Sequence, residues 1–300
     1  MSSAASVRDH AASGTRGAPR LVLGARALAG MSRASRDRLI EMNSRTQEPE
    51  ALAVTLSKAI DAGAEAVLVA PSPQLRAALA ELQRRVPLLA VLPTREWHEE
   101  LELDPGLAPL LDRARSRAPA GARLRGVFTA LARLPGVMRG DWAALLPLLI
   151  ELETARLPRG ELAGVVVSAE VADAALATRN AKLFARATDF VHRRYAVPVG
   201  FETRNLGVMI ERLHEWDVAP DFVVGPVNPS GYGMKPNAPE TLSAIARRGI
   251  PVLATELRAG GRIDLSEGVA YARSHGVHGL APDLVDLDDV PGELRTLARG

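Results

Sequence analysis

Short, unbroken apolar runs recur along this chain, each followed by a stretch of helical period, and that repetition restricts the possible folds more than any other feature. The runs are "LVLG" (21–24), "EAVLVAP" (65–71), "VPLLAVLP" (86–93), "GVVVSAE" (164–170), "VPVGFETRN" (197–205), "DFVVGPVNP" (221–229), "IPVLATE" (250–256) and "VHGLAPD" (277–283). They do not alternate apolar with polar residues, so they read as strands covered on both faces, the situation of a parallel sheet. Amphipathic segments at 48–64, 72–85, 180–195, 206–218, 238–249 and 265–276 read as the intervening helices. Ser72 followed by Pro73 marks one helix start, a cap residue with proline at the first helical position.

Eight such strands separated by helices predict a (β/α)8 TIM barrel in the α/β class. An open doubly wound sheet shares the alternation, but it would carry a glycine-rich phosphate fingerprint after its first strand. "LVLGARALAG" contains no G-x-G-x-x-G. Residues 1–19 read as a disordered tail and 20–300 as a single barrel domain. Residues 94–163 form an oversized helical insertion between the third and fourth strands, either an extra helix on the barrel exterior or a lid over the mouth. Its segment "WAALLPLLI" would equally suit a subunit contact, which leaves a homo-oligomer open.

Several function classes are excluded by composition. The formal net charge is +2, which gives no electrostatic basis for binding nucleic acid or an anionic membrane. There are no cysteines, so disulfides, thiolate metal sites and cysteine nucleophiles drop out. No run approaches the roughly 18 apolar residues of a membrane span, and the first residues lack the apolar core of a signal peptide. The expectation is a cytoplasmic protein with a small-molecule substrate.

In such barrels chemistry sits at the carboxyl ends of the strands. Those positions hold Arg26; Arg95, His98 and Glu99; Ser168, Glu170 and, one turn further, Asp173; Glu202, Thr203, Arg204 and Asn205; Asn228; Thr255, Glu256 and Arg258; and Asp283. The loop "VNPSGYGMKPN" adds Tyr232 and Lys235, the latter one of only three lysines in the chain, with Lys58 and Lys182. Glu170, Glu202, Glu256 and Asp283 would crowd one mouth and repel one another unless cations or a divalent metal relieve them. Arg26, Arg204, Arg258 and Lys235 are the cations at hand. Lys235 suits anion binding or, desolvated, a Schiff base. Gly260 and Gly261, after the seventh strand, suit either a tight turn or a phosphate approach by backbone amides. Of the histidines only His98 could reach the mouth as an acid or base.

These strand ends resemble those of aldolase-type (β/α)8 barrels over residues 163–283. "IPVLATELRAGGRIDLSEGVAYA" is also similar to the late part of aldo-keto reductases, in which a comparable loop and helix contribute to cofactor binding. That family's catalytic tyrosine follows an early strand, whereas Tyr195, Tyr232 and Tyr271 all lie late, which argues against a nicotinamide cofactor here. The resulting expectation is an enzyme acting on a small anionic metabolite by proton abstraction next to a carbonyl, as lyases, aldolases and isomerases do. Glu202 or Glu256 would be the base, with Glu170 and Lys235 as further catalytic candidates. Arg26, Arg204, Asn205, Asn228, Tyr232, Thr255, Arg258, Gly260, Gly261 and Asp283 would bind substrate. Two alternatives stand beside it: a hydrolase or isomerase that uses a divalent metal held by the carboxylates, and a barrel that binds a metabolite without turnover. The sequence itself names no cofactor.

Overall fold

A computed structural model of the chain describes residues 17–24, 40, 48–82, 84–94, 142–155, 157–158, 161–282 and 289–299. The eight strands are β1 (Val22–Gly24), β2 (Ala66–Val69), β3 (Leu88–Leu92), β4 (Leu162–Val167), β5 (Val199–Glu202), β6 (Phe222–Pro226), β7 (Val252–Thr255) and β8 (Gly279–Leu280). All neighbours pair parallel and in sequence order. The ring closes where Leu21 bridges Leu280: Leu280 N–H donates to Arg20 O at 2.8 Å and Gly24 N–H to Pro282 O at 2.9 Å. The sheet is therefore a (β/α)8 barrel, and the doubly wound alternative is ruled out.

The helices of this frame are α1 (Pro49–Asp61), α2 (Pro73–Glu81), α3 (Leu146–Thr154), α4 (Ala169–Ala177), α5 (Ala181–Tyr195), α6 (Leu206–Glu215), α7 (Ala238–Arg248), α8 (Leu265–Ser274) and α9 (Val290–Arg299). Ser72 caps α2 as expected, its Oγ accepting from Leu75 N–H at 3.0 Å. Two helices were not foreseen. The run "GVVVSAE" ends as strand at Val167, and "AEVADAALA" turns at once into α4. Alanine propensity and the acidic Glu170 in the first turn favour that helix. The other is α9, which packs against α1 and α8.

Two apolar layers hold the barrel. Val22, Leu68, Leu89, Val166, Phe222, Val224 and Leu253 fill its interior, while Leu23, Val67, Val165, Phe201 and Val223 face the helices. Gly200 faces inward, because a Cβ there would lie 2.2 Å from the Phe222 ring, so the large side chain occupies the space the small one leaves. With a side-chain period of two, Glu202 must then also point inward, one layer higher at the mouth. By the same register Leu253 and Thr255 share the inner face of β7.

Of the long insertion, residues 95–141 lie outside the described residues, as do residues 1–16 of the tail. The described part, a 3-10 turn at Trp142–Ala144 and α3, packs against β3 and α5. Glu153 of α3 is fully buried and its carboxylate accepts from Thr94 N–H at 3.0 Å, which ties the helix to the loop after β3. On the opposite rim Glu161 accepts from Val86 N–H. Burial raises its carboxyl pKa, against the lowering effects of that bond and of Arg85. No helix among the described residues is long and apolar enough to cross a membrane.

Candidate functional site

At the carboxyl ends of β5, β6 and β7 lies a pocket of about 190 Å³. Its walls bring together Glu202, Arg204, Tyr232, Lys235, Thr255 and Glu256, six of the residues expected from the sequence. Thr203, Pro226, Gly233 and Ala169 complete the described lining. Strand periodicity explains the floor: Glu202 and Thr255 are inward positions at the tops of β5 and β7, buried at 4% and 8% exposure.

Glu256 follows β7 and adopts φ of +53°, the left-handed region that costs a residue with a side chain of order 1–2 kcal/mol. It is half-buried and lines the pocket. Backbone strain of this kind persists where the surroundings enforce it, and such positions cluster at functional sites. Here the following turn enforces it, with Ala259 N–H donating to Glu256 O at 2.8 Å.

Arg204 is exposed and its guanidinium donates to Glu170, which sits in the first turn of α4 instead of at a strand end. Its backbone N–H donates to Asp173 at 3.1 Å, and the Thr203 hydroxyl also donates to Asp173. Asp173 thus organises the β5 loop from α4. Glu170 and Asp173 flank the pocket without forming its lining.

Other expected residues take different roles. Arg258 is not part of the described lining; its guanidinium pairs with Glu293 of α9, a partner invisible to any reading that left α9 out. Gly260 and Gly261 both have positive φ, and the amides around them close a turn: Gly261 and Arg262 N–H both donate to Arg258 O, at 2.9 and 2.8 Å. This is the tight-turn outcome, with those amides committed within the loop. Asn205 occupies the N-cap of α6 without a side-chain cap bond. Asn228, expected to bind substrate, spends its amide on its own loop. Arg26 and Asp283 lie outside the described residues, as do Arg95, His98 and Glu99.

Two features had escaped notice. Arg262 stands over the Tyr232 ring, 4.6 Å from its centroid. The Ser168 hydroxyl, inward on β4 by the same alternation as Val166, is buried and has no hydrogen-bond partner. Among the described residues no group of three or more histidine or acidic side chains is placed to hold a metal ion.

No known protein family matches the sequence, and no curated protein does. By shape the chain is similar to two solved structures from Pseudomonas aeruginosa assigned as aldo-keto reductases. For one the TM-score is 0.53 at 12% identity, covering 95% of this chain and 92% of the other. For the second the TM-score is 0.52 at 12% identity, covering 95% and 91%. At that identity the likeness carries the barrel fold.

Proposed function

We propose that the chain is an enzyme whose barrel mouth acts on a small anionic carbonyl compound by moving a proton next to the carbonyl. The supporting observation is the convergence of Glu202, Glu256, Lys235 and Arg204 on one pocket at the catalytic end of the fold. The half-buried Glu256 carboxylate takes the proton from the carbon beside the carbonyl. The released electron pair moves onto the carbonyl oxygen as an enolate. Lys235 and the Tyr232 hydroxyl stand on the same wall to stabilise that charge, and Arg204 to hold the substrate's own anion. Glu202, deeper in the barrel, returns a proton on another face or orients the substrate. A pocket of about 190 Å³ suits a molecule of a few carbons.

The test is hydrogen–deuterium exchange at C3 of short 2-oxo acids and at C2 of short 2-hydroxy acids, followed by NMR in heavy water. Glu256→Gln should slow exchange about 10²- to 10⁴-fold in a folded protein, as loss of a general base does. Unchanged exchange in both Glu256→Gln and Glu202→Gln would refute the assignment. Activity abolished by a chelator would favour the metal-dependent alternative, and binding without exchange the non-catalytic one.

A second reading, reduction of the carbonyl with Tyr232 as proton donor, draws on the fold shared with the aldo-keto reductases and on the phenol's place in the pocket. Arg258 is committed to Glu293 and the amides of the glycine turn to Arg258 O, so neither offers itself to a dinucleotide phosphate. Oxidation of NADPH by the chain with the short 2-oxo acids would establish this reading in place of the first.

A further inference from the structure

We propose that Asn228 is the positioning residue of this pocket, acting through Tyr232. It lies two residues beyond β6, it is fully buried, and its side chain is spent on the loop ahead. Asn228 Nδ2 donates to Tyr232 O at 2.8 Å, while Asn228 Oδ1 accepts from Tyr232 N–H at 2.9 Å and from the Ser230 hydroxyl at 3.0 Å. One amide thus holds both peptide groups that flank the Tyr232 Cα, which removes the two backbone rotations that would let the ring wander. A buried amide is costly unless satisfied, and this one is satisfied from both ends.

The far end of the segment is held separately. Lys235 O accepts from Gly207 N–H at 3.0 Å and from the Thr241 hydroxyl at 3.2 Å, so the base of the lysine stem is fixed between α6 and α7. The ring of Tyr232 meets the β7 loop, where a Cβ on Gly260 would lie 3.4 Å from its Cε1 and Cζ and where Arg262 stacks. Between the two anchors sit the only residues of this loop with polar side chains in the pocket lining, Tyr232 and Lys235. A covering loop needs no such double fixation, whereas a loop that must present two groups to a ligand does. The inference rests on the proposed function only for what the pocket holds; the placement of Tyr232 stands independently.

The chain has three tyrosines, Tyr195, Tyr232 and Tyr271. Incorporated fluorotyrosine therefore gives three fluorine NMR signals, of which Tyr232→Phe identifies one. Asn228→Ala should move and broaden the Tyr232 signal and leave the other two in place. Ser230→Ala, which removes one donor and leaves the grip intact, should change none. If Asn228→Ala does not fold, Asn228→Asp serves, since it keeps the shape and the acceptor and loses the donor. A Tyr232 signal at its original position in the folded variant, or three signals moving together, overturns the proposal. Titration with pyruvate separates the two claims. If pyruvate shifts the Tyr232 signal of the unaltered protein, the Asn228 variant should bind it about tenfold more weakly; equal affinity also overturns the positioning role. If pyruvate shifts nothing, the reading of the pocket's ligand fails, and the positioning role is decided by the variants alone.

Discussion

Replacing Gly268 with alanine sets helix propensity against packing, and the structure decides the sign. Gly268 lies in α8, where alanine ordinarily gains about 1 kcal/mol over glycine. A Cβ built there would sit 2.0 Å from Leu257 O and 2.7 Å from Leu257 C. Both are backbone atoms next to the strained Glu256, so no side chain can swing away. Either α8 retreats or the β7 loop moves, and overpacking of this kind costs about 1–3 kcal/mol or more. Leu257 and Val269 are also core residues, so retreat opens a gap. A clash this short belongs at the upper end of the range, which leaves a net loss of about 2 kcal/mol once propensity is subtracted. For a chain of this size the thermal midpoint should fall by roughly 3–6 °C. Differential scanning calorimetry of the two proteins measures it directly. A midpoint equal to or above that of the unaltered protein would refute the close approach of α8 to the β7 loop.

Two further outcomes follow from ion pairs elsewhere in the molecule. Glu293→Gln should cost roughly 1–3 kcal/mol in urea unfolding, because it strands the Arg258 guanidinium, whose Nε already has no partner, under α9. Glu211 accepts from Arg248 at 2.7 Å and from Arg247 at 3.0 Å, and the Arg248 bond chiefly holds its carboxyl below the ordinary value of 4.5. A depressed folded pKa gives stability that is present above the unfolded value and lost as pH falls through the folded one. Glu211→Gln should therefore be the less stable protein at pH 7, and the difference should close below pH 4.5; a gap that persists at lower pH would contradict this.

The barrel was legible because each strand is buried on both faces and so announces itself as an unbroken apolar run. Seven of the eight strands lie within those runs, and β4 begins two residues ahead of its run, at Leu162. α4 was hidden because "VVVSAEVADAALA" passes from strand to helix with only Ser168 between them, and Glu170 was consequently placed at a strand end. In the site, Glu202, Thr255 and Glu256 were readable since strand-end position fixes both direction and depth. Tyr232 and Lys235 reached the pocket through a loop whose composition was conspicuous. What sequence spacing could not show was commitment to other partners. Arg258 looks like a mouth cation until α9 brings Glu293 beneath it, and Asn228 looks like a ligand donor until its loop folds back on the amide.

That difference in commitment sorts the two arginines chemically. Arg258 and Glu293 are 25% and 10% exposed, so separating them would leave charge with little water to replace the partner. Arg204 and Glu170 are 56% and 39% exposed, and a pair so open contributes about 0–1 kcal/mol. A ligand carboxylate can take Glu170's place on Arg204 at almost no cost, since water solvates the displaced glutamate. Arg258 has no such freedom. The mouth therefore has a fixed wall at β7, where Glu256 is strained into place, and an exchangeable cation at β5. The function proposed above, in which a base is held still and a charged product released, calls for that combination.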